Sequence, residues 1–224
     1  MKLFKTQFPI IIILLCAITT PAWAQDAEEV EQSSHTGFFA FGGIGPAIPL
    51  GDFGQERDGG FDLNTAISYQ FPSHFMLRGM FDFSSFNFKR GAITQTVGTE
   101  IYQLSGSNNL ISLNVAGGYY LSLGRFSPYV FTGVGVSFIS KPEVEIDENL
   151  NFIDMTLSVG TYFSTVTGLG IDFLLNPAKN SDTEEKTPFI IYLETFYTYV
   201  PSTTDISKHK FQLLTFNVGI KTKM

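Results

Sequence analysis

From about residue 37 onward, large apolar side chains recur at every second position. In Gly60 to Phe71, the residues Phe61, Leu63, Ile67, Tyr69 and Phe71 share one face, with Asp62, Asn64, Ala66, Ser68 and Gln70 on the other. In Phe75 to Phe83, Phe75, Leu77, Phe81 and Phe83 oppose Met76, Arg78, Met80 and Asp82. Ile111, Leu113, Val115, Tyr119 and Leu121 alternate with Ser112, Asn114, Ala116 and Gly118. The same beat runs through 126–138, 157–175, 189–200 and 214–220. Successive side chains of a strand point to opposite faces, so a period of two predicts strands. With Gly37 to Ala47 (GFFAFGGIGPA) the pattern predicts about eight of them. Each is near or above the roughly 9–11 residues that a tilted membrane-crossing strand needs.

The connections alternate in length. Pro72-Ser73-His74 and Gly124-Arg125 read as tight turns, whereas 48–59, 89–109, 140–154 and 201–210 read as long polar loops. Short turns at one end and long loops at the other are the habit of outer-membrane barrels. The segment 176–187 (NPAKNSDTEEKT) breaks the alternation, because it falls at the short-turn end and is long.

Composition decides between a soluble and a membrane barrel. The non-apolar face consists mainly of Gly, Ala, Ser, Asn and Thr with almost no Lys. Such a face makes a poor water-exposed surface, but it suits the narrow interior of an eight-stranded barrel. Phe occurs 23 times, Gly 21 times, and only 16% of residues are charged, against about 25% in ordinary soluble domains. The expected fold is an all-β, antiparallel, up-and-down transmembrane β-barrel. Its apolar face meets lipid, and Tyr69, Tyr119, Tyr197 and Tyr199 belong to aromatic girdles at the membrane surfaces.

The N-terminus points to export. Lys2 and Lys5 precede an apolar run, Ile10 to Leu15, and Pro21-Ala22-Trp23-Ala24 offers small residues to a signal peptidase. Residues 1–24 are therefore read as a signal peptide, 25–35 as a flexible polar tail, and 36–224 as the barrel. The leader holds the only cysteine, Cys16, so the mature chain folds without disulfides. It also carries two lysines and no acid, so its removal takes the net charge from −7 to −9. That acidity argues against nucleic acid as a partner.

Five stretches, GFFAFGGIGPAIPLGDF (37–53), SPYVFTGVGVSF (127–138), TVTGLGIDFLL (165–175), IIYLETFYTYV (190–200) and FNVGIK (216–221), make the chain resemble the OmpA/OmpX-like superfamily of small outer-membrane β-barrels. The resemblance covers nearly all of the mature chain. It implies a Gram-negative outer-membrane location, contact with lipid and lipopolysaccharide, delivery by periplasmic chaperones and the barrel-assembly machinery, and a monomer. The chain departs from the pattern by ending in KTKM rather than on a terminal aromatic, and no peptidoglycan-binding domain follows the last strand.

Candidate chemistry is sparse. Arg78, Asp82, Asp172 and Glu194 fall on the inward face. Charges in a membrane barrel are costly unless paired, so these four are expected to form a structural ion-pair network that plugs the lumen, the sharper alternative being a proton or ion path. Ser73-His74 invites comparison with outer-membrane lipid A deacylases, but the pair lies in a turn. His35 and His209 are the other histidines, and no metal-ligand spacing occurs. Gly42-Gly43-Ile44-Gly45 precedes Pro46 and not a helix, which excludes a phosphate loop. The acidic run Glu143 to Glu148 is either a solvated strand extension or a site for calcium or a basic partner. The expected function is non-enzymatic, structural or interactive through external loops, with no cofactor, metal or catalytic residue. A minor pore, a lipid-modifying enzyme and a soluble periplasmic binding barrel are the alternatives.

Overall fold

A computed structural model of the chain describes residues 36–87, 89, 93–97, 100–104, 107–147, 152–175, 189–201 and 210–224. The expected signal peptide and tail, His35, His209, Glu148 and the segment 176–187 lie outside the described residues.

Eight strands close into one antiparallel barrel. They are β1 (Gly37–Leu50), β2 (Gly60–Gln70), β3 (Phe75–Asn87), β6 (Ser107–Tyr120), β7 (Phe126–Asp147), β8 (Phe152–Leu174), β9 (Phe189–Val200) and β10 (Phe211–Lys223). A six-residue helix, α1 (Gly51–Glu56), follows β1. A separate hairpin of β4 (Ile93–Val97) and β5 (Glu100–Leu104) lies between β3 and β6. Around the wall each strand pairs with its sequence neighbour, and β1 pairs with β10 to close the ring. Closure leaves no edge in the wall, so every backbone group there can be satisfied without water.

The turns explain the up-and-down path. At Phe71–Phe75, Pro72 supplies the fixed φ of a turn's second residue, His74 donates its N–H to Phe71 O at 3.1 Å, and His74 adopts φ 65° before β3 begins. Between β6 and β7, Leu123 and Phe126 bridge across Gly124-Arg125, and Gly124 takes φ 70°, a conformation that only glycine adopts cheaply. Both turns and both ends of the wall, Gly37 and Lys223, lie at one end of the barrel, opposite α1 and the β4–β5 hairpin.

The two faces of the wall confirm the direction of the alternation. Phe61, Ile67, Phe75, Leu77, Val115, Val130 and Leu169 point outward, more than half exposed, while Asp62, Asn64, Arg78, Ser137 and Ser164 are buried inside. An apolar surface wrapped around the whole molecule far exceeds what water tolerates on a soluble monomer. It is the surface of a protein dissolved in lipid. No helix among the described residues is long and apolar enough to cross a membrane, so the strands make the crossing. Tyr69, Tyr119, Tyr197 and Tyr199 stand on the outward face, and Phe38, Tyr69 and Phe71 cluster at the short-turn rim with ring centroids 4.6–4.7 Å apart.

Two expectations are corrected. The inner face is not made of small residues alone: Phe39, Phe41, Tyr129, Phe131, Tyr192 and Phe196 also point inward. Small residues line the lumen partly to make room for these rings, as a Cβ at Gly43 or Gly219 would collide with Tyr192. The long loops are also more structured than their polarity suggests. β7 and β8 keep pairing to Asp147↔Phe152, through most of the expected 140–154 loop. Val144, Ile146, Ile153 and Met155 continue the period of two there. The last β6–β7 pair is Asn109↔Ser140 and the last β8–β9 pair is Thr165↔Tyr199. Beyond them the two strands run on as a ribbon, about 20 Å past β6 at the rise of a strand. Similarly, the 89–109 stretch contains the β4–β5 hairpin, and 48–59 contains the end of β1 and α1.

Candidate functional site

The lumen gathers nearly all the chemistry of the described residues, in layers along the barrel axis. The central layer is an ion pair between strands on opposite walls. Arg78 of β3 grips Glu194 of β9 with both terminal nitrogens, Nη1 to Oε2 and Nη2 to Oε1 at 2.9 Å. The Tyr129 hydroxyl donates to the same Oε2 at 2.7 Å. The guanidinium lies between the rings of Phe41 and Phe131, at 4.5 and 4.8 Å from their centroids. A planar cation held edge-on by a carboxylate and face-on by two rings suits arginine, and lysine could not reproduce it. Gly168 and Gly170 of β8 make this layer fit, since a Cβ there would run into Phe131 and Tyr129 respectively.

Toward the short-turn end, Lys221 of β10 pairs with Asp172 of β8, and its Nζ sits 4.6 Å above Phe39 and 5.1 Å from the Phe41 centroid. Toward the other end lies a layer of acids and amides. Asp62 accepts from Ser84 Oγ at 2.5 Å and from Asn217 Nδ2 at 2.7 Å. Asp82 accepts from Asn64 Nδ2, and from Asn114 Nδ2 at 3.3 Å. Ser164 supports Asn114 at 3.2 Å. The mouth at the α1 end is apolar: Ala47, Phe86, Leu110, Ile139, Val200 and Leu213 pack together. Phe53 of α1 covers them, its ring 3.6 Å from Phe211 and 5.4 Å from Phe86. Lys89 Nζ donates to Gly54 O at 2.7 Å and ties the helix to the end of β3.

All four inward charges read from the sequence are buried in this lumen. Arg78 meets Glu194 directly. Asp172 meets Lys221, a partner that pattern reading overlooked although it lies in phase with Asn217 and Gly219 on the small-residue face. Asp82 meets amides: both terminal nitrogens of Arg78 are turned to Glu194, and Nη2 reaches Asp82 only through Asn64, whose Oδ1 it also contacts at 3.4 Å. Asp62 was visible on the same inward face and completes the acid layer.

The other candidates lie elsewhere. Ser73 and His74 occupy the β2–β3 turn at the barrel's end, where the His74 ring packs 5.9 and 5.5 Å from Tyr119 and Tyr120. Gly42 to Gly45 are extended residues of β1. Glu143, Glu145 and Asp147 belong to the β7 ribbon. No group of three or more His, Cys, Asp or Glu side chains converges among the described residues. Concave features on the outer wall, such as a groove of about 650 Å³ beside Gly79, Thr65 and Leu113, open toward lipid.

A closed eight-stranded wall, an apolar belt outside and a packed polar interior define an outer-membrane-type transmembrane β-barrel. Solved structures of that class match it along their whole length. The structure of Neisserial surface protein A (NspA) aligns with a TM-score of 0.56 at 13% identity, covering 84% of this chain and 98% of that one. The outer-membrane protein OprG of Pseudomonas aeruginosa aligns with a TM-score of 0.51 at 15% identity, covering 86% and 98%. The outer-membrane enzyme PagL aligns at 0.41 and 12% identity. No protein-family model and no curated protein sequence matches the chain. The chain therefore shares the eight-stranded barrel fold of NspA and OprG.

Proposed function

We propose that this chain is a non-enzymatic outer-membrane barrel with a plugged lumen, acting on its surroundings through the segments beyond its external end. The observation that carries the reading is the Arg78–Glu194 contact, fully buried, spanning the lumen and clamped between Phe41 and Phe131. An eight-stranded interior is only wide enough for side chains, so a packed ion pair across it closes the aqueous path. Interaction then falls to the outside: lipid and lipopolysaccharide along the belt, and other molecules at the β7–β8 ribbon and the β4–β5 hairpin. The chain works as a monomer, delivered by periplasmic chaperones and inserted by the barrel-assembly machinery. The nucleophile–base geometry of a lipid-modifying enzyme has no support from Ser73-His74, whose imidazole packs against tyrosine rings in a turn.

Planar-bilayer recording tests this directly. The folded chain should give no steady openings. Steady openings that vanish when Arg78 or Glu194 is replaced would favour a pore instead. Lipid A recovered after overexpression should be unchanged, and a shortened acyl pattern would favour the enzyme.

A further inference from the structure

We infer that the free edge of β8, where the β7–β8 ribbon leaves the barrel wall, docks an extended basic segment of another protein, which adds to the ribbon as a further strand. The inference rests on the reading that the chain acts through the segments beyond its α1 end. Among the described residues, β7 has no partner on the β6 side beyond Ser140, and β8 has none on the β9 side before Thr165. The two strands still pair with each other as far as Asp147↔Phe152. Each edge therefore presents a row of backbone N–H and C=O groups, a template for another strand. The two edges differ in protection. Along β7, Pro142 stands among Lys141, Glu143, Glu145 and Asp147, and proline and charge are the devices by which sheets turn foreign strands away. Along β8, the run Phe152 to Ser164 (FIDMTLSVGTYFS) holds no proline, and Asp154 is its sole charged residue. That run is rich in the β-branched and aromatic residues that favour strand pairing.

Charge selects the occupant. No Lys or Arg occurs from Pro142 to Leu175. The register sets Glu145 opposite Asp154, with Glu143 and Asp147 two positions to either side on the same face. Like charges directly opposite one another weaken a sheet, and a neighbouring strand with Lys or Arg at alternate positions would relieve that repulsion. A second copy of this chain would bring the same acids and add to it. The other face sets the intervening positions. Val159 and Phe163, more than half exposed, stand beyond the last β8–β9 pair, and Ile153, Met155 and Leu157 continue their row along the strand. The partner that fits this edge therefore alternates basic with apolar residues.

The test uses the folded chain in a nonionic detergent and a labelled peptide of alternating lysine and valine, followed by fluorescence anisotropy and by hydrogen exchange read with mass spectrometry. The peptide should bind at least tenfold more tightly than its glutamate–valine counterpart. It should also bind at least tenfold more tightly than the same peptide N-methylated throughout, which keeps the charge and loses the donors of a strand. Exchange should slow at 152–164 and stay unchanged at 141–147. Glu145→Gln with Asp154→Asn should weaken binding at least fivefold. If that variant does not fold, the N-methylated peptide carries the test on the unaltered chain. No binding, or equal binding of the N-methylated peptide, would overturn the assignment, the second because attraction between charges alone would then explain it. Exchange at 152–164 that is already slow in the free chain would show the edge to be covered, and a dimer formed through it without peptide would make a second copy the occupant; either result sinks the proposal. All of these outcomes leave a silent planar bilayer silent, whereas steady openings there would remove the plugged-barrel reading itself.

Discussion

On β3, the outward residues Phe75, Leu77, Phe81 and Phe83 alternate with the inward residues Met76, Arg78, Met80 and Asp82. The two sets differ in what they ask of their surroundings. The outward set needs only an apolar solvent, and each side chain meets fluid lipid that can rearrange around it. The inward set needs particular partners at particular places: Arg78 requires Glu194 from the far wall and two rings to lie between. One face is therefore tolerant in detail and intolerant of charge. The other accepts charge and is intolerant of detail.

The largest break in that contrast should come from Arg78→Ala. It leaves Glu194 buried without its partner, and removing one member of a buried pair costs about 3–5 kcal/mol. The folded, heat-modifiable band on SDS gels should then disappear at a much lower urea concentration. Gel mobility is the suitable probe because the only tryptophan, Trp23, lies in the predicted leader. The double change Arg78→Leu with Glu194→Leu should recover most of the loss, since replacing both partners by apolar groups is often neutral. A double variant as unstable as the single one would mean that the pair positions the surrounding rings as well as balancing charge.

A step smaller is Val115→Arg on the outward face of β6. A cation facing the middle of the bilayer costs about 2–4 kcal/mol, so the same urea titration in lipid vesicles should show a clear loss. An unchanged midpoint would mean that Val115 is not at membrane depth. Gly43→Ala should cost about 1–3 kcal/mol by overpacking, because its Cβ would press on Tyr192. The smallest effect should be Ile67→Leu, a lipid-facing swap of equal volume, which should move the midpoint by no more than about 0.5 kcal/mol. A larger effect there would break the claim that the outer face is tolerant.

Much of this was legible in the chain. A period of two needs no knowledge of neighbours, because it follows from the backbone geometry of one strand. The paucity of Lys on the inner face separated a membrane barrel from a soluble one, since water would have demanded the reverse. Pro72 and Gly124 marked the tight turns through their own φ preferences. The extension of β7 and β8 was harder to see, because Glu143, Glu145 and Asp147 read as loop while Val144 and Ile146 kept the strand rhythm beside them.

The sequence by itself thus determined that this is a membrane barrel, which face meets lipid, and that Arg78, Asp82, Asp172 and Glu194 point inward. Only the tertiary structure decided who meets whom. Arg78 and Glu194 are 116 positions apart, and closure of the ring with its stagger brings them across the lumen. Lys221 met Asp172 for the same reason, and Asp82 was left to amides. Alternation along a strand is a local property and survives in one dimension. Contact across a barrel depends on strand number, tilt and register together, and exists only once the ring has closed.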